Sequence, residues 1–189
     1  MKATGAVLLC AFLLPALVVS CGKGAAAEKA ASGAGMYNGK SLESIPIVAT
    51  FSYPHDFLIT TTRAELIRKW GKPDSVVSEN VASAYNKNTT DERYKLEYKG
   101  FFFLLYYSKA KDQELLVATT ITSPDYAVSD GLRVGMYKSV MLAKLGQPTF
   151  VEKDTFVYAA GLSSTDHMNK ELVMSGDTVS RIVIYPEIP

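Results

Sequence analysis

Val134-Gly135-Met136-Tyr137-Lys138-Ser139-Val140-Met141-Leu142-Ala143-Lys144-Leu145-Gly146-Gln147-Pro148 repeats, 75 residues on, the pattern of Ile59-Thr60-Thr61-Thr62-Arg63-Ala64-Glu65-Leu66-Ile67-Arg68-Lys69-Trp70-Gly71-Lys72-Pro73. Ile59 answers Val134, Leu66 answers Met141, Ile67 answers Leu142, and Trp70 answers Leu145. Gly71 and Pro73 answer Gly146 and Pro148. In each copy three apolar residues recur at i, i+1 and i+4, which places them on one face of a helix. Thr62 followed by Glu65 forms a capping box at the start of the first helix. Gly71 and Gly146 suit the left-handed position that ends a helix, and the prolines beyond prevent its continuation.

Outward from each helix the period changes. The first half offers strand-like segments at Ser75–Ser78, Tyr94–Tyr98, Phe101–Ser108 and Leu115–Thr122, and the second at Thr149–Tyr158, Glu171–Met174 and Val179–Tyr185. Leu96-Glu97-Tyr98 matches Phe156-Val157-Tyr158, so the first copy carries an extra polar loop of about 15 residues around Glu79–Arg93. The expected fold class is α+β, with two tandem helix-plus-antiparallel-sheet repeats at residues 45–125 and 126–189.

Phe101-Phe102-Phe103-Leu104-Leu105-Tyr106-Tyr107 is the strongest apolar run. As a strand it puts Phe101, Phe103, Leu105 and Tyr107 on one face and Phe102, Leu104 and Tyr106 on the other. Two readings stand: a central strand with one face under the helices and the other partly covered, or an open aromatic docking surface. Tyrosine is enriched in interface cores because it joins contact area to a polar tip. Tyr94, Tyr98, Tyr106, Tyr107 and Tyr158 are therefore the candidate protein-binding residues.

The start of the chain has another character. Lys2 precedes the apolar stretch Ala6–Val19, which contains Pro15 and ends at Ser20-Cys21-Gly22. A basic start, a short apolar core and small residues at the cut describe a secretory signal peptide, residues 1–20. The stretch is too short and too interrupted for the run of about 20 residues that spans a bilayer. Val18-Val19-Ser20-Cys21 resembles the lipobox of bacterial lipoproteins. That resemblance implies cleavage between Ser20 and Cys21, a diacylglycerol on the Cys21 thiol, and stable membrane anchoring through two or more acyl chains. Residues 21–44 then form the lipidated cysteine and a Gly/Ala-rich flexible tether. Cys10 leaves with the signal peptide and Cys21 takes the lipid, so the mature domain has no disulfide.

The second copy, from Val134-Gly135-Met136 through Leu145-Gly146-Gln147-Pro148 and its aromatic strand, resembles the BamE/SmpA–OmlA lipoprotein family. It is also similar to the β-lactamase-inhibitor-protein-like fold, in which a helical segment precedes a small antiparallel sheet in each repeat. Unlike the assembly lipoproteins, which usually carry one unit, this chain carries two, and it lacks the inhibitors' disulfides.

One of the 20 basic residues, Lys2, leaves with the signal peptide, so 19 stand against 19 acidic. Such a balance gives no electrostatic footprint for nucleic acid. The histidine-carboxylate pairs His55-Asp56 and Asp166-His167 have no metal-ligand spacing. Gly161-Leu162-Ser163-Ser164 is not a nucleophile elbow, and Gly22-Lys23-Gly24 lacks the setting of a phosphate loop. Asn88-Thr89-Thr90 reads as a chance glycosylation match. The expectation is a non-enzymatic outer-membrane lipoprotein without cofactor or metal that binds an envelope protein in outer-membrane assembly or maintenance. The alternative is a small-ligand sensor or carrier with a cleft between the repeats.

Replacing Cys21 by Ala is expected to abolish incorporation of labelled fatty acid and to disturb processing. Unchanged labelling of the variant would overturn the lipid anchor. Gly22 after the cysteine, rather than Asp, predicts co-sedimentation with outer-membrane markers on a density gradient.

Overall fold

Runs rich in Val, Ile, Thr, Phe and Tyr fit a pleated, half-buried surface, and such runs follow each helix. The computed structural model describes residues 35–51, 61–160 and 168–186, all within one compact unit. A short hairpin comes first, β1 (Met36–Tyr37) and β2 (Lys40–Ser41), then a 3-10 turn at Leu42–Ser44 and β3 (Ala49–Phe51). Helix α1 (Arg63–Trp70) leads into β4 (Ser75–Ala82), β5 (Thr90–Tyr98), β6 (Phe101–Ser108), β7 (Gln113–Ile121) and β8 (Tyr126–Val128). Helix α2 (Lys138–Leu145) leads into β9 (Phe150–Glu152), β10 (Thr155–Tyr158), β11 (Met168–Ser175) and β12 (Thr178–Pro186).

Eight strands make one antiparallel sheet in the order β4-β5-β6-β7-β12-β11-β10-β9. β3 and β8 form a separate parallel pair. This corrects the expected fold class. Among the described residues the protein is mostly β, with 51% strand and 14% helix, and is not a pair of helix-plus-sheet repeats. The reason is partly length: each helix has eight residues and fully buries one side chain, Leu66 in α1 and Met141 in α2. The other part is pairing. Ile121, Thr120 and Thr119 of β7 register with Ile182, Val183 and Ile184 of β12, so the strands of both halves join edge to edge.

The helix signals are met locally. Thr62 and Glu65 form the reciprocal capping box, with Thr62 N–H donating to Glu65 Oε2 at 2.9 Å. Glu114 of β7 accepts the Arg63 N–H at 2.7 Å and pairs with the Arg63 guanidinium at 2.9 Å, which pins the start of α1 to the sheet. Gly71 and Gly146 close the two helices at φ +83° and +76°. Their ψ values of −175° and −157° differ from the left-handed helical position expected. This is a region essentially reserved for glycine, and it sends the chain out extended. Tyr98 Oη donates to the Gly71 carbonyl at 3.0 Å and Tyr158 Oη to the Gly146 carbonyl at 3.1 Å. The same tie holds both helix ends.

The expected polar loop at Glu79–Arg93 is instead mostly strand, with β4 and β5 paired from Ser75↔Glu97 to Ala82↔Thr90. Arg93 and Glu79 face each other across the hairpin at 2.6 Å. The expected tether also ends early. Residues from Gly35 onward are seated, Leu42 is buried, and a Cβ on Gly35 would stand 1.8 Å from the Gly135 carbonyl oxygen. Only glycine permits so close a crossing of two backbones.

Arg133 holds this segment. It is 9% exposed, and its guanidinium donates to the carbonyls of Pro124 (2.6 and 2.8 Å), Leu42 (3.1 Å) and Ile45 (2.9 Å). Five planar donors suit such a cluster of carbonyls better than a lysine would. Arg133→Met should leave the Pro124 and Ile45 carbonyls without this donor, the Leu42 carbonyl keeping the Ile45 N–H at 3.1 Å, and the expected loss is about 3 kcal/mol of unfolding free energy. Urea unfolding would measure it, and limited proteolysis should show faster cleavage between residues 35 and 48. Unchanged stability and cleavage would show that the guanidinium does not hold the segment.

Candidate protein-docking surface

Directly paired residues of antiparallel strands share a face, so the registers assign every sheet side chain. One face carries Phe101, Phe103 and Leu105 of β6, Leu96 of β5, and Ile121 of β7 beside Ile182 of β12, all buried. Trp70 of α1 lies 5.1 Å from Phe101 and 5.9 Å from Phe103, and Phe51 of β3 stacks on Trp70 at 4.5 Å. In the second half, Lys138 of α2 lies 4.8 Å from the ring of Phe156, which registers with Leu172 on this face. Both helices and β3 therefore cover the same side.

On the other side one row crosses all eight strands: Phe150, Val157, Glu171, Val183, Thr120, Phe102, Glu97 and Ser75. A neighbouring row holds Ala118, Leu104, Lys95 and Val77, and a third holds Leu115, Tyr106, Arg93 and Glu79. Among the described residues no helix covers this side. Its apolar side chains are largely half-buried against each other, and the two edges stand out, Phe150 at 53% and Val77 at 51% exposure. On the first-half strands its charges are paired in place, whereas Glu152 and Arg181 on the second-half strands stand exposed. Lys95 pairs with Glu97 at 2.6 Å and sits 4.3 Å from the Phe102 ring, and Tyr185 donates to Glu171.

The five tyrosines do not gather on one surface. Tyr94, Tyr98, Tyr107 and Tyr158 lie on the helix side by register, and Tyr106 alone lies on the open side. Their hydroxyls are already used within the chain. Tyr94 donates to Glu92, Tyr106 to Asp91, and Tyr107 to Asp112 at 2.7 Å, while Tyr98 and Tyr158 hold the helix ends. Hydrogen bonding to Glu92, then burial, raises the Tyr94 hydroxyl above its ordinary pKa, and burial raises Tyr98 and Tyr158. The alternation of β6 is as the sequence predicts. That Val183, Val157 and Phe150 lie in one row with Phe102 was not legible, because only strand order puts them there.

The small-ligand alternative has a different geometry from the one expected. A cleft of about 570 Å³ is lined by Trp70, Tyr98, Phe101 and Tyr126, with Lys69, Lys99 and Asp74 among its polar groups. All of its lining but Tyr126 comes from the first half, and a smaller one of about 390 Å³ beside Tyr137 and Leu142 lies in the second. Neither spans the seam between β7 and β12. Among the described residues no cluster of three metal-ligating side chains occurs, and no helix is long and apolar enough to cross a membrane. Ser20, Cys21, His55, Asp56, Ser163, Asp166 and His167 lie outside the described residues.

Asp91 anchors the far end of the open face. It is inaccessible to solvent and accepts from the Ser83 hydroxyl, the Tyr106 hydroxyl and the Lys109 N–H (2.9 Å). The Ser83 bond first, then the Tyr106 bond, lowers its pKa below the ordinary carboxylate value. A lowered folded pKa adds stability that is complete above the unfolded value of about 4 and is lost as pH falls through the folded value. Thermal melts between neutral and strongly acidic pH should show this decline, and Asp91→Asn should flatten it. An identical pH profile for the variant would remove Asp91 from the acid transition.

No protein-family model matches the sequence, and no curated protein or solved structure matches it significantly.

Proposed function

We propose that this chain is a non-catalytic envelope lipoprotein, held to the outer membrane through Cys21, that docks a folded protein partner on the uncovered face of its sheet. The observation that carries the reading is the asymmetry of that sheet. Two helices and β3 cover one face, while the other presents a row continuous from Phe150 to Ser75. Antiparallel sheets that face water usually alternate apolar-in with polar-out. Here the outward, half-buried positions include Phe102, Leu104, Leu115, Val173 and Val183, which water does not reward.

Size agrees with this role. Eight strands at roughly 4.8 Å spacing give a face about 34 Å across, on the order of 700 Å², close to the ~800 Å² that each partner contributes to a standard interface. On the first-half strands the charges are paired, Lys95 with Glu97 and Arg93 with Glu79, so a partner covering that part of the face strands no lone ion there. A fixed, flat array of packed side chains also orders little on binding, which lowers the entropic cost of association. The lipobox resemblance at Val18-Val19-Ser20-Cys21 supports the envelope setting.

Phe102→Asp and Val183→Asp should each weaken partner capture about tenfold or more while the melting temperature moves little, because both side chains already border water. A photocrosslinker at position 102 or 183, compared with one at exposed Ile67 on the helix side, locates the contact in intact envelopes. A discrete adduct from the sheet positions alone is expected. Equal adducts from Ile67, or none from the sheet, would defeat the docking face.

A further inference from the structure

We propose that the β4 edge of the sheet is a self-association site, at which two copies of this chain pair β4 antiparallel to β4 about a twofold axis through Ser78. The inference is independent of what docks on the open face. Every second residue of an edge strand turns its N–H and C=O away from the sheet, which makes the edge a template for another strand. Proteins usually blunt such edges by shortness, proline, lysine, a bulge or a covering element.

The two edges of this sheet differ in these terms. β9 is blunted: it has three residues and stops at Lys153, which turns with φ +52°. β4 has eight residues, Ser75-Val76-Val77-Ser78-Glu79-Asn80-Val81-Ala82, with no proline, no lysine and no register shift against β5. Val76 and Val77 are about half exposed, one on each face of the edge. The strand's single charge, Glu79, is already neutralised by Arg93 at 2.6 Å.

Self-pairing fits these side chains better than pairing with β9. A β4–β9 contact would be limited to three residues and, being head-to-tail, would not close as a twofold pair. A β4–β4 contact is closed. Because paired residues share a face, the axis must fall on a residue, and Ser78 and Glu79 lie equally near the middle of β4. An axis through Glu79 would set two carboxylates directly opposite, which is unfavourable. With the axis on Ser78, Val77 meets Glu79 of the second copy, Val76 meets Asn80, and Ser75 meets Val81. Val77 and its symmetry mate are then diagonal neighbours on the open face, within reach of each other. The two open faces become one continuous surface.

The test uses the full chain in detergent. Cα atoms of directly opposite residues are about 4.5–5.5 Å apart, inside the range a disulfide bridges. Ser78→Cys should therefore give a covalent dimer on mild oxidation, with the 78–78 junction identified by mass spectrometry so that Cys10 and Cys21 do not confuse it. Asn80→Cys is the control, since its two copies would lie roughly 14 Å apart and should not link. Sedimentation should show a concentration-dependent dimer, and Val77→Lys should weaken it about tenfold or more with the melting temperature unchanged. If that variant unfolds, the trapping at position 78 decides alone. A chain that sediments as a monomer throughout, or that links equally well through position 80, overturns the proposal.

Discussion

Three residue pairs join β7 to β12, Ile121 with Ile182, Thr120 with Val183 and Thr119 with Ile184. Because β-strand side chains alternate, this short ladder works on both faces at once. Ile121, Ile182 and Ile184 are buried beneath the helix side, while Thr120 and Val183 lie in the outer row. Without the ladder each half would keep four strands and two apolar edges. With it, the aromatic run of β6 stands next to the centre of an eight-stranded sheet, and the two exposed edges are moved to β4 and β9.

That junction also explains why the helices are so short. A continuous sheet already buries Phe103, Leu105, Leu172 and Ile182 between its strands and a thin cover. Each helix has only to supply one deep side chain, Leu66 or Met141, and to be fastened at its ends. Glu114 fastens the start of α1 and Tyr98 its end, and Tyr158 does the same for the end of α2. Tyrosine serves here because its ring packs against the core while its hydroxyl reaches a carbonyl left open at the helix terminus. The cover is completed from the N-terminal side, where Phe51 stacks on Trp70 and Arg133 ties the preceding segment down through carbonyl oxygens.

The outcome is a sheet finished on one side only. On the covered side aromatic rings meet in stacked and edge-on contacts, such as Phe51 with Trp70 and Phe101 with Phe103. On the other, among the described residues no helix covers the strands, and in the first half the charges are neutralised by pairs such as Lys95–Glu97.

Local chemistry was legible in the sequence. The capping box at Thr62–Glu65, the helix-ending Gly71 and Gly146, the alternation of Phe101–Tyr107 and the equivalence of Tyr98 with Tyr158 all depend on residues close together in the chain, whose geometry the backbone dictates directly. Even there the tertiary structure had the last word on Gly71 and Gly146, whose ψ follows the extended exit toward the sheet. Strand order was not legible, because a ladder such as Ile121 with Ile182 joins residues 61 apart and no local signal names its partner. The fold class, the length of the β4–β5 hairpin, the seating of residues 35–51 and the separation of the five tyrosines between two faces were therefore decided only by long-range pairing, which sets which side of the sheet each alternating residue meets.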